Sequence, residues 1–192
     1  MRRKEMNMEE ALTAFPRDKA FLQEKTKEEA LINIFDTNYQ RVFNYMNYRL
    51  GSLHEAEELT SQVFERVLHK IDQFNSALAP FDAWLFAIAR NVVNDHYRLK
   101  KRWTWLPLEN LNNLVSRQPD PEETALQNEE QRKLLKAMDV LNERERNLVA
   151  LKFAGGLKNR EIAQLTGLSE NHVGVLLYRS LHRLREQLEG KE

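Results

Sequence analysis

The chain has 192 residues and no cysteine, which excludes a disulfide framework, a thiolate nucleophile and a cysteine-ligated zinc site, and fits a reducing compartment. Its histidines, His54, His69, His96, His172 and His182, are scattered without metal-site spacing, so no metal is expected. No apolar run approaches the length of a bilayer span, and the charged start MRRKEMNMEE lacks a signal-peptide core. A cytoplasmic protein without membrane insertion is therefore expected. Also missing are a Gly-rich phosphate loop, a nucleophile motif and a carboxylate pair distinct from solvated charge. Nothing supports catalysis, a cofactor or a small-molecule substrate. Strand-like alternation and internal repeats are absent too, which leaves an all-α fold.

What the chain does have is charge, unevenly spread. It balances 29 Lys/Arg against 29 Asp/Glu, and formal neutrality argues at first sight against a nucleic-acid ligand. Segment by segment the balance breaks: residues 1–102 carry +1, residues 103–130 carry −5 and residues 131–192 carry +4. Basic side chains concentrate at Arg98, Lys100, Lys101 and Arg102, and again at Arg179, Arg183 and Arg185, where phosphate contacts are useful.

Periodicity divides the rest. Residues 1–26 are charged, weakly periodic and interrupted by Pro16, and are expected to form a loosely ordered extension. From Lys27, the spacing of Ala30, Leu31, Ile34, Phe35, Tyr39, Val42, Phe43, Met46 and Leu50 predicts a long amphipathic helix ending at Gly51. Ser52 and Glu55 form a capping-box pattern for the next helix. That helix is expected to turn Ala56, Leu59, Val63, Val67 and Ile71 inward. After the break FNSALAP, a third helix places Trp84, Leu85, Ile88 and Val92 on one face and Arg90, Asn91, Asn94, Asp95, Arg98 and Lys101 on the other. Residues 103–120 read as an acidic tether, with Trp103, Trp105 and Leu106 able to fold back on the first bundle. Helical signal resumes at Pro121 and runs through Leu134, Leu135, Met138 and Leu141. Asn142 and Glu145 cap a further helix carrying Leu148, Val149, Leu151 and Phe153 before Gly155-Gly156.

The segment KNREIAQLTGLSENHVGVLLYRSLHRLR, residues 158–185, reads as a helix-turn-helix. Ile162, Ala163 and Leu165 recur at helical spacing, Gly167 supplies a left-handed stop and Ser169 caps the second helix. With Val173, Leu177, Leu181 and Leu184 turned inward, Glu170, Asn171, His172, Tyr178 and Arg179 face outward toward a DNA groove.

Taken together, AEELTSQVFERV at 56–67, FDAWLFAIARNVVNDHYR at 81–98 and REIAQLTGLSENHV at 160–173 resemble the sigma factors of bacterial RNA polymerase, of the small extracytoplasmic-function type with two domains. The resemblance implies that residues 27–102 bind polymerase and the minus-10 promoter element, and that residues 121–192 bind the minus-35 element. By this likeness Glu57, Glu58, Thr60, Ser61, Gln62, Glu65 and Arg66 meet the clamp helices of the largest polymerase subunit. Asn75, Ser76, Ala77, Trp84, Arg90, Asn91, Asn94, Arg98 and Lys101 fall to minus-10 DNA, where a flipped base needs polar groups beside an apolar wall. Arg160, Ser169, Glu170, Asn171, His172, Gly174, Val175, Tyr178, Arg179 and Arg183 fall to minus-35 DNA. Two departures stand out: Ser61-Gln62 replaces a frequent Gln-Glu, and Gly174-Val175-Leu176 replaces common Lys, Ser and Arg. The implied partners are core RNA polymerase, promoter DNA and an anti-sigma protein.

Taken one at a time, these features also have plainer explanations. Aromatic residues at helical spacing, Trp84 included, are more often core than DNA wedges. The acidic face of the second helix would by itself be wet surface. A dimeric helix-turn-helix regulator acting on a palindromic operator is the competing function, and an enzyme with an appended DNA module is a third.

Overall fold

The computed structural model describes residues 16–103 and 129–190, with side chains over 29–102 and 129–190. Residues 1–15, the tether beyond Trp103 and the Pro121 helix start lie outside the described residues.

Helix α1 spans Pro16–Leu50, starting well ahead of the Lys27 onset that periodicity predicts. Proline suits that first position because its missing N–H has no intrahelical partner there. The chain divides into two units after Asn38. In the first, Ile32 and Phe35 are exposed on α1, and the Asn38 amide donates back to the Ile34 carbonyl at 2.9 Å.

The second unit holds the remaining described residues. Its first bundle consists of α1 from Tyr39 onward, α2 (Leu53–Lys70) and α3 (Phe81–Trp103). Gly51, at φ +70°, closes α1 with its N–H on the Asn47 carbonyl, and the Ser52 hydroxyl accepts from the Glu55 N–H to start α2. Val42, Tyr45 and Met46 of α1 are buried, as are Ala56, Leu59, Val63, Phe64 and Val67 of α2 and Leu85, Phe86, Ala89, Val92 and Val93 of α3. Tyr45 meets Phe86 edge to face with centroids 5.6 Å apart.

The second bundle comprises α4 (Glu129–Ala137), α5 (Glu143–Phe153), α6 (Asn159–Thr166) and α7 (Glu170–Leu188). At the start of α5 the Asn142–Glu145 box is complete: the Glu145 N–H donates to Asn142 and the Asn142 N–H donates to the Glu145 carboxylate. Met138, Leu141, Leu148, Leu151, Leu157, Ile162, Val173, Leu177 and Leu184 are buried. Among the described residues every regular element is helical.

The two bundles are joined by polar contacts. The Tyr45 hydroxyl donates to Asn147 at 2.9 Å, Arg41 bridges Asp82 and the Gly155 carbonyl, and Arg90 donates to the Leu165 carbonyl at 2.8 Å. Arg49 is buried and reaches Glu143 at 3.4 Å. Full burial pushes the Tyr45 phenol up to about 12, against the opposing pull of Arg49 and Arg90.

Two assignments, one outward and one inward, need correction. Thr60, read as outward, is fully buried, and its hydroxyl donates to the Ala56 carbonyl at 2.6 Å. Leu181, read as inward, is 41% exposed, and Ser180 takes the buried place with its hydroxyl on the Leu176 carbonyl. Phe153 at the end of α5 is 57% exposed. In α2 and α7 a hydroxyl satisfied by its own helix occupies a core position that residue type alone assigns to an apolar side chain.

Candidate nucleic-acid interface

The outward face of α2 presents Glu57, Glu58, Ser61 and Glu65 to solvent. Gln62 is half-buried and donates to Glu58 at 3.3 Å. Arg66 pairs with Asp95 of α3 at 3.0 Å, which ties this end of the face to the neighbouring helix. With Thr60 buried, the exposed part of the predicted polymerase-binding set is narrower and more acidic. Tyr39 and His54 join Glu57, Glu58 and Ser61 around a shallow open depression.

The break before α3 is built by Asn75. Its side chain accepts the Ala77 N–H at 2.9 Å and its carbonyl accepts the Leu78 N–H at 3.0 Å, which turns the chain sharply. Ser76 and Ala77 are exposed, and Leu78, which the sequence did not single out, stands 84% exposed at the tip. Behind the turn Phe74, Phe81 and Trp84 form an aromatic cluster with centroids 5.3–5.7 Å apart. Trp84 is therefore half-buried and one wall of a turn whose rim is polar.

Along α3, Asn91, Asn94, Arg98 and Lys101 are exposed and Arg90 is half-buried. Arg90 departs from the predicted surface because its guanidinium is committed to the Leu165 carbonyl. Arg98, though exposed, pairs with Asp95 on the same helix at 3.2 Å.

The helix-turn-helix forms as its sequence dictates. Gly167 adopts φ +73° with its N–H on the Ala163 carbonyl, a conformation that a side chain strains. The Ser169 hydroxyl then accepts the His172 N–H at 3.2 Å and starts α7. Val173, Leu177, Ser180 and Leu184 bury one stripe of α7; Glu170, Asn171, His172, Val175, Tyr178 and Arg179 are exposed, as is Arg160 on α6. Gly174 sits beside Asn159. Arg183 is ion-paired to Glu145 of α5 and reaches the Val140 carbonyl at 3.4 Å, so it braces the bundle from the flank of α7. Sequence spacing carries no signal for that pairing, which spans distant helices.

Two small helical bundles, the second a helix-turn-helix whose outward ridge is polar around Val175, form an architecture used by DNA-contacting transcription proteins. The Sigma-70 region 2 family matches residues 34–103 and the Sigma-70 region 4 family matches residues 131–184. The chain belongs to the extracytoplasmic-function (ECF) sigma factors, which are initiation factors and not enzymes. It is 32% identical over 149 residues to the ECF RNA polymerase sigma factor ShbA of Streptomyces griseus, covering 73% of this chain and 78% of that protein. It is 31% identical over 160 residues to ECF RNA polymerase sigma factor BldN of Streptomyces coelicolor, covering 83% of this chain and 61% of BldN, so it spans less than two thirds of that relative. The fold is similar to that of the sigma factor RpoE of Bartonella quintana, solved in complex with the anti-sigma factor NepR, with TM-score 0.68, 19% identity and coverage of 85% of this chain and 99% of that one. Among the described residues no helix is long and apolar enough to cross a membrane.

Proposed function

We propose that this chain is a promoter-specificity subunit that binds core RNA polymerase in the cytoplasm, recognises a minus-10 and a minus-35 element and helps open the DNA at the nearer one. The division of labour follows the two bundles: residues 27–102 for polymerase and minus-10 DNA, residues 121–192 for minus-35 DNA, and 103–120 as the tether, with the −5 charge spread over 103–130. Support comes chiefly from the two sigma regions, which occur in one chain, each presenting an exposed polar helix face.

Each surface has a task suited to its chemistry. The acidic face of α2 meets a protein partner, since negative charge there repels phosphate. Asn75 and Ser76, with Ala77 beside them, form a rim with polar groups next to the Phe74–Phe81–Trp84 wall, a setting for an unstacked base. Asn91, Asn94, Arg98 and Lys101 follow the strand. On α7, Asn171 and His172 reach base edges and Arg179 a phosphate. Because the two DNA contacts are tethered, each gains from the effective concentration set by the other. An anti-sigma protein is a further partner on the same reading.

Mixing the purified chain with core polymerase and a genomic promoter library, then mapping RNA 5′ ends, tests this function. Start sites that depend on the chain are expected. A chain that leaves core polymerase unbound and the start sites unchanged refutes it.

A further inference from the structure

The outward ridge of α7 has an apolar centre. At about 100° per residue, the buried stripe of Val173, Leu177, Ser180 and Leu184 places Val175 almost diametrically opposite, in line with Asn171 one turn before it and His182 two turns after it. Val175 is 43% exposed there. Its neighbour Gly174 sits beside Asn159, which Lys158 and Arg160 flank in sequence; both are exposed, as are Arg179 one turn after Val175 and Glu170 at the helix start, and residues 131–192 carry a net +4. The net positive charge of this bundle favours a polyanion over an apolar protein surface.

A valine on the ridge that goes deepest into a major groove has no hydrogen bond to offer. The groove presents one apolar group in return, the C5-methyl of thymine. We infer that Val175 reads a thymine methyl in the upstream promoter element while Asn171 pairs with an adenine edge, an assignment that rests on α7 being the minus-35 helix. One helical turn of 5.4 Å against a base step of 3.4 Å sets the two bases within about two base pairs of each other. A valine at this position reads shape and not charge.

Polymerase carrying the full chain is used to select duplexes from a pool randomised over the upstream element, and each thymine of the selected sequence is then replaced singly by deoxyuracil, which lacks only the methyl. At one thymine, the wild type is expected to bind the uracil duplex about fourfold more weakly, the effect of one buried methyl-sized group. Val175→Ala is expected to bind the thymine and uracil duplexes equally, with unchanged circular dichroism and thermal midpoint. Tolerance of uracil at every position by the wild type, or a uracil effect that persists in Val175→Ala, overturns the assignment. If Asn171→Ala still changes base choice in that case, the upstream function of α7 survives and only the Val175 contact fails. If neither variant changes base choice anywhere in the element, both are refuted.

Discussion

Tyr45 is the residue where the two bundles are most tightly linked. Its ring is buried against Phe86 and its hydroxyl serves Asn147, itself buried in the other bundle. Tyr45→Phe keeps the ring and orphans the Asn147 oxygen, so a loss of about 1–3 kcal/mol at neutral pH is expected in urea unfolding. The phenol also makes stability depend on alkali. Its folded pKa, about 12, lies above the unfolded value near 10, so its contribution is complete below pH 10 and is lost as pH rises from 10 toward 12. The gap between wild type and Tyr45→Phe is therefore expected to narrow over that window; a constant gap contradicts the buried phenol. None of this was legible beforehand, because Tyr45 and Asn147 lie far apart in sequence and each reads locally as one more helical position. Thr60 and Ser180 escaped for a different reason: residue type pointed outward, whereas helical phase, with an i−4 carbonyl to satisfy each hydroxyl, pointed inward.

At the scale of the element, the stops and starts were the most legible features. Gly51, Gly167, Ser52, Asn142 and Ser169 act where the sequence places them, because turn and cap chemistry is local. Gly174 is the exception within α7. An added Cβ would lie 3.7 Å from the Asn159 amide, an ordinary contact, so the glycine is not demanded by crowding. Gly174→Ala is expected to raise stability by up to about 1 kcal/mol through helix propensity, read as a higher thermal midpoint. By contrast Gly155→Ala would bring a Cβ to 2.6 Å from the Leu151 carbonyl oxygen and is expected to lower it. The α2 face yields a functional counterpart. Glu57 and Glu58 are exposed, so reversing both to Lys is expected to weaken core-polymerase binding at least tenfold, or about 1.4 kcal/mol, with helicity unchanged. Unaltered affinity would remove this face from the interface. Replacing exposed Arg179 by Ala is expected to flatten the salt dependence of holoenzyme binding by about one unit of slope, as the loss of one phosphate contact requires.

The whole molecule explains why neutrality in bulk is compatible with DNA binding. Its charge is segregated, with a basic second bundle and an acidic stretch ahead of it, and the exposed helix faces differ in sign. Fold class and the three faces could be read from amphipathic phase. The contact between bundles could not, and it alters one site residue: Arg90 serves Leu165 and is expected to reach DNA only when that hydrogen bond opens. Asn91, Asn94, Arg98 and Lys101 remain exposed beside it, so the DNA face is narrowed and not covered. The decisive measurement is a hydroxyl-radical footprint of the chain on a promoter it activates, with and without core polymerase. Two separate protected patches, at the minus-10 and minus-35 elements, that appear only when polymerase is present are predicted. A palindromic footprint made by the chain alone and unchanged by polymerase would contradict the account.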